Sequence, residues 1–199
     1  MKRVICTKYR GFTQMGIVMA FTLLGTLAFK AQGASQSNGD TTKRALLEDE
    51  ARRVLRQVAF VVMGSDRSSL LPESSGFSSE NIRYRVNLGV SDGEVVWSDQ
   101  EMVAMDTDRL IIYWMQNPDQ PNGKKVVWSK LVSPFLEGEV ANGVDDNDNG
   151  LIDEKGLSFV IDGNAVTIRL TLRMPSDHGD DLVQTVETTV TCSNLEDEY

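Results

Sequence analysis

From Leu47 to Val62 the apolar positions recur at three- and four-residue steps: Leu47, Ala51, Val54, Leu55, Val58, Val61 and Val62. That spacing lays them along one face of an α-helix. Glu48 with Arg52 and Asp49 with Arg53 fall one turn apart on the other face, each pair worth about 0.2–0.5 kcal/mol. Asp40, Thr41 or Thr42 is the expected N-cap, and Gly64 a stop. Beyond the loop Ser65–Asn81 the period drops to two. Ile82, Tyr84, Val86 and Leu88 alternate with Arg83, Arg85 and Asn87, which predicts a strand with one buried face. Ser91-Asp92-Gly93 turns the chain into Glu94–Trp97, and further strands are expected at Arg109–Met115, Lys125–Val132, Leu157–Ile161, Ala165–Arg173 and Leu182–Cys192. Asp162-Gly163-Asn164 reads as a tight hairpin turn. Connections this short imply antiparallel pairing. The predicted fold is α+β, with a long N-terminal helix packed on an antiparallel meander. Trp97, Trp114 and Trp128 read as packing residues in or beside strands.

Ahead of the helix, Phe12 to Phe29 (FTQMGIVMAFTLLGTLAF) carries no ionisable side chain. As a helix, 18 residues extend roughly 27 Å, enough to cross the hydrocarbon of a bilayer. Lys2, Arg3, Lys8 and Arg10 precede it, and all 29 acidic residues lie from Asp40 onward. The positive-inside bias therefore leaves the N-terminus in the cytoplasm and carries the acidic body across the membrane. Two processing routes share this topology. One is a secretory signal peptide cleaved near Ala31-Gln32-Gly33, ahead of Ala34.

The other follows from the junction Arg10-Gly11-Phe12-Thr13, where a basic leader ends in Gly directly against the apolar run. This resembles the leader of type IV pilins and type II secretion pseudopilins. The resemblance covers about the first 20 residues. It implies cleavage between Gly11 and Phe12 by a prepilin peptidase, N-methylation of Phe12 and retention of the helix as a transmembrane stem. It also implies sibling pilin or pseudopilin subunits and an inner-membrane assembly platform as partners. The fifth residue after the cut is Gly16, where the family usually has Glu, a departure similar to that of some minor subunits at a filament tip. The implied organisation is a basic leader (1–11), a transmembrane stem (12–30), a linker with the amphipathic helix (31–64) and a β head (65–199). The stem would hold the chain in a bacterial inner membrane as a single-pass protein, its head periplasmic or extracellular. No catalysis is implied.

Asn142 to Glu154 (NGVDDNDNGLIDE) is the densest chemistry outside the N-terminus. Set against an EF-hand loop, Gly150 takes position six, with Asp145, Asn147 and Asn149 at one, three and five. The Leu151 carbonyl then takes position seven, Asp153 position nine, and Ile152 points inward. Alternate oxygen donors around a sharp glycine turn suit one hard cation. Position twelve, which normally closes the shell, is Gly156, and Glu154 is a possible extra ligand lying two residues early. The expectation is weak Ca²⁺ binding, about 10⁻⁴–10⁻³ M. The other reading is a solvated turn whose Asn, Asp and Gly tolerate left-handed backbone.

Composition narrows the remaining classes. A net charge of −9 argues against nucleic-acid partners. Cys6 and Cys192 are too few for a disulfide scaffold. His178 beside Asp177 and Asp180 lacks any nucleophile-elbow motif, and neither phosphate-binding glycine motif occurs. Cys6 would leave with the leader, making Cys192 a half-buried strand residue. The polar loops Asn117–Gly123 and Pro175–Asp181 are expected partner-contact sites. The alternative to a filament subunit is a secreted or signal-anchored calcium-binding recognition module.

Overall fold

The structure, a computed structural model, describes residues 39–72, 77–177 and 179–192. The leader, the apolar stem with Gly11, Phe12 and Gly16, Cys6, His178 and the acidic tail lie outside the described residues. No helix among those described is long and apolar enough to cross a membrane. From Lys43 onward the described residues belong to one compact unit.

Helix α1 spans residues 39–63. Its predicted stripe is buried: Leu47, Ala51, Val54, Leu55, Val58 and Val62 are at most 9% exposed, as is Ala59. Each large side chain in that row contributes about 1.5–3 kcal/mol by leaving water. At the C-terminus, Gly64 N–H donates to the Phe60 carbonyl at 3.2 Å, and the Ser65 hydroxyl caps the Val62 carbonyl at 2.6 Å. Asp40, Thr41 and Thr42 lie inside the helix, so they do not cap it. Glu48 and Arg52 pair at 2.5 Å as expected. Arg53 does not take Asp49: it reaches Glu50 at 2.8 Å, Gln57 at 2.8 Å and the Trp128 carbonyl at 2.6 Å. That direction brings the guanidinium over the neighbouring strand.

Among the described residues nine strands follow, and every pairing is antiparallel. β1 (Asn81–Tyr84), β2 (Asn87–Ser91), β3 (Glu94–Trp97), β4 (Glu101–Asp106), β5 (Ile111–Gln116) and β6 (Lys124–Ser129) come first, then β7 (Leu157–Asp162), β8 (Ala165–Met174) and β9 (Leu182–Thr191). The class is α+β, but the expected single meander is three sheets. They are ordered β1-β4-β5-β6, β2-β3 and β7-β8-β9. The run Ile82–Leu88 is not one strand. β1 ends at Tyr84, and β2 and β3 form a hairpin inserted between the partners β1 and β4, with Leu88 65% exposed. β4 is an unexpected strand, buried at Val103, Ala104 and Met105.

The two larger sheets are stitched at two places. Ser79 and Phe159 exchange backbone hydrogen bonds at 3.0 and 2.8 Å. Past β6, the chain runs along β8, with Arg173 N–H on the Leu131 carbonyl at 2.7 Å and Ser133 N–H on the Thr171 carbonyl at 2.9 Å. One apolar cluster joins the α1 stripe to Ile82, Tyr84, Val103 and Ile112 of the first sheet and to Phe159, Val166, Ile168, Leu170 and Leu172 of the second. Trp114 and Trp128 pack against this cluster, and the Trp114 indole N–H donates to Glu101 at 2.8 Å.

Candidate functional site

The acidic loop leaves and re-enters the fold through a short ladder. Phe135 bridges Lys155, and Leu136 N–H donates to the Glu154 carbonyl at 3.0 Å. Between these anchors the chain folds back on its own carboxylates. Asp145 accepts Asn149 N–H at 3.1 Å and Gly150 N–H at 2.7 Å. Asn147 Oδ1 accepts the same Asn149 N–H at 3.1 Å. Asn149 Oδ1 in turn accepts Leu151 N–H at 2.9 Å. The oxygens predicted for positions one and three therefore meet on the Asn149 amide, while that of position five turns to Leu151. Gly150, with φ of 86°, makes the turn that a side chain would resist.

The two predicted carboxylates beyond the turn, Asp153 and Glu154, are committed elsewhere. Asp153 accepts Asn142 N–H at 3.0 Å and Gly143 N–H at 3.1 Å. Glu154 is wholly buried and faces inward, receiving Arg169 Nη1 at 2.9 Å, the Ser158 hydroxyl at 3.3 Å and the Asn149 side-chain amide. Arg169 also holds Glu187 at 2.5 Å. Burial works against its charge, yet the two carboxylates outweigh that and raise its pKa above the ordinary arginine value. Ile152, expected to point inward, is 58% exposed. A strand follows the loop and no helix directly flanks it among the described residues, so there is no helix pair to receive that side chain.

Gly156 explains the missing closing acid. A Cβ at this position would sit 1.9 Å from the Ser133 carbonyl oxygen, so position twelve admits no side chain while that contact persists. A carboxylate the sequence did not single out lies under the loop instead. Glu139 is 5% exposed and its oxygens accept Asn147 N–H at 3.3 Å and Asp153 N–H at 3.1 Å, tying the two halves of the loop together. Asp146 does the same locally, accepting both Val140 N–H and the Asn142 side-chain amide. Among the described residues, no group of three or more His, Cys, Asp or Glu side chains is arranged to hold a metal ion.

The other expected features are placed as follows. Cys192 is 2% exposed rather than half-buried, because it follows β9 into the core beside the Ser65 hydroxyl at 3.9 Å; burial raises its thiol pKa. Both polar loops are tied to the head, by Asp119 to Arg83 at 2.7 Å and by Asp177 to Lys43 at 2.5 Å. Comparison with protein-family models, with curated proteins and with solved structures finds no match to this chain.

Proposed function

We propose that the chain is a structural subunit, of the minor pilin or pseudopilin kind, of a type IV pilus or type II secretion filament. In this reading prepilin peptidase cuts between Gly11 and Phe12, Phe12 becomes the methylated N-terminus, and residues 12–30 anchor the chain in the inner membrane. The head lies outside the cytoplasm, and assembly proceeds by stem-to-stem packing with sibling subunits on a membrane platform. The chain carries structure, not catalysis. The observation that supports it is an order along the sequence. A basic leader ends in Gly, an uncharged run follows, and then comes α1, whose apolar face is covered by an antiparallel β head. The test is N-terminal sequencing of the protein recovered from membranes of its own host. A chain beginning at Phe12 supports the filament subunit. A chain beginning near Ala34 overturns it in favour of the secreted recognition module.

Ca²⁺ at the acidic loop is the second part of the proposal, favoured by the Asp145 and Asn147 side-chain oxygens meeting on the Asn149 N–H at the Gly150 turn. In this reading Asp145, Asn147, Asn149 and the Leu151 carbonyl would supply the oxygens, whereas Glu154 is held by Arg169. Asp153 would join only by giving up the amides of Asn142 and Gly143. A bound cation would stabilise the folded head by mass action. Millimolar Ca²⁺ should raise the melting temperature of the full chain and have no such effect on Asp145→Ala; an unchanged melting temperature for the parent chain removes this part.

A further inference from the structure

A concave site lies at the base of the exposed hairpin and is lined by none of the acidic-loop residues. Segment 83–87 is flanked on both sides there. On one side, Ser65 bridges Val86 and Leu71 bridges Arg83, while the residues between them bulge outward as a 3₁₀ turn, Arg67–Ser69. On the other, Ser98 N–H donates to the Val86 carbonyl at 2.8 Å and the Ser98 hydroxyl accepts Val86 N–H at 2.9 Å. The bulge opens a cavity of about 400 Å³, lined by Asp66, Ser68, Arg85, Trp97 and Gln100 among others. That volume falls within the range of small-molecule sites.

The lining is chemically specific. Asp66 is 7% exposed and fixed as the cap of the 3₁₀ turn, accepting Ser68 N–H at 3.1 Å and the Ser68 hydroxyl at 2.5 Å. Arg85 is held by its backbone, with Asp66 N–H on its carbonyl at 3.1 Å and its own N–H on the Ser69 hydroxyl at 2.9 Å. Its guanidinium makes no ion pair among the described residues, although Arg83 two positions earlier is paired with Asp119. The Trp97 indole N–H and the Gln100 side-chain amide likewise have no hydrogen-bond partner among the described residues. Trp97 is half-buried and Gln100 partly so, so a flat apolar ring stands beside free donors and acceptors.

We infer that this cavity binds a neutral pyranose sugar. The indole supplies an apolar face for the C–H side of the ring, while Arg85, Gln100, Ser68 and the Asp66 carboxylate offer the mixed donors and acceptors that vicinal hydroxyls need. One guanidinium and one carboxylate leave the lining uncharged overall, and a chain of net charge −9 repels anions. A neutral polyol therefore suits it better than a sugar acid or a phosphate. The inference does not rest on the filament reading.

The experiment uses the full chain in a zwitterionic detergent without a sugar headgroup, since glycoside detergents would compete. Methyl glucoside, galactoside and mannoside are titrated with saturation-transfer NMR and calorimetry, beside glucuronate as the anionic probe. At least one neutral glycoside should bind. Trp97→Ala should weaken it by about tenfold or more, and Arg85→Gln and Gln100→Ala by roughly threefold or more each. Trp128→Phe should leave binding unchanged. Arg85 and Gln100 are outside the apolar core, so an unchanged melting temperature for Arg85→Gln and Gln100→Ala keeps those losses interpretable. Equal affinity for the methyl glycoside and its linear oligosaccharide assigns a free or terminal sugar; tighter oligosaccharide binding assigns a glycan chain. Silence from every neutral sugar at about 50 mM, binding indifferent to Trp97→Ala, or preferential binding of glucuronate overturns the inference.

Discussion

Hairpins β2–β3 and β7–β8 are built alike and end differently. Each closes on a two-residue turn with left-handed backbone, Asp92 and Gly93 at φ of 55° and 86° in the first, Gly163 at 55° in the second. Both have strands rich in β-branched residues. Yet every residue of β2 is exposed, whereas Val166, Ile168, Leu170 and Leu172 of β8 are completely buried. The difference lies in what stands around them: β8 has β7 and β9 on its two edges and shares a core with the α1 stripe, while among the described residues β2 pairs only with β3. Turn chemistry and alternation decide pairing, and burial is decided by elements far away in sequence.

The largest effect should separate the two hairpins directly. Ile168→Ala is expected to cost about 2–5 kcal/mol in denaturant unfolding of the full chain, as a cavity in a tight core does. Val90→Ala, at a position 70% exposed, should cost less than about 0.5 kcal/mol. A comparable loss at Val90 would show that the hairpin face is covered in solution. Next comes the polar side of the buried hairpin. Arg169→Met strands the wholly buried Glu154 carboxylate and should cost about 3 kcal/mol, and adding Glu154→Gln should recover most of it.

Smaller effects probe the point where the chain passes from buried sheet to exposed hairpin. The Tyr84 hydroxyl is buried without a hydrogen-bond partner among the described residues, and burial with the nearby Glu101 carboxylate drives its pKa well above the usual phenol value. Tyr84→Phe should be neutral or stabilise by up to about 1 kcal/mol by thermal unfolding. The smallest effect is acid-dependent. Arg53 hydrogen bonding lowers the Glu50 pKa against an opposing burial effect. A lowered carboxylate pKa adds stability that is complete above the ordinary glutamate value and lost as pH falls through the native one. Glu50→Gln should remove a few tenths of a kcal/mol of that acid-side slope.

The α1 stripe was legible because a 3.6-residue period survives whatever lies opposite it. β8 was legible for the same reason at period two. β4 was not, because a strand between two partners can be buried on both faces; Met102-Val103-Ala104-Met105 then shows no alternation, and Met and Ala carry little strand preference. The break after Tyr84 was hidden because the apolar alternation continues into the hairpin. In the acidic loop, Asp145, Asn147, Asn149 and Gly150 announced their shared turn by spacing alone. Glu139 did not, since its role depends on where the returning chain places the amides of Asn147 and Asp153. Trp97 read as a packing residue, and only the 3₁₀ bulge across from it turns it into a cavity wall.

The seating of α1 has a mechanical consequence. Its buried row runs from Leu47 to Val62, and Arg53 grips the Trp128 carbonyl midway. A pull along the helix axis loads all of these contacts in parallel, so they must slip together. A pull across the axis would part them one turn at a time.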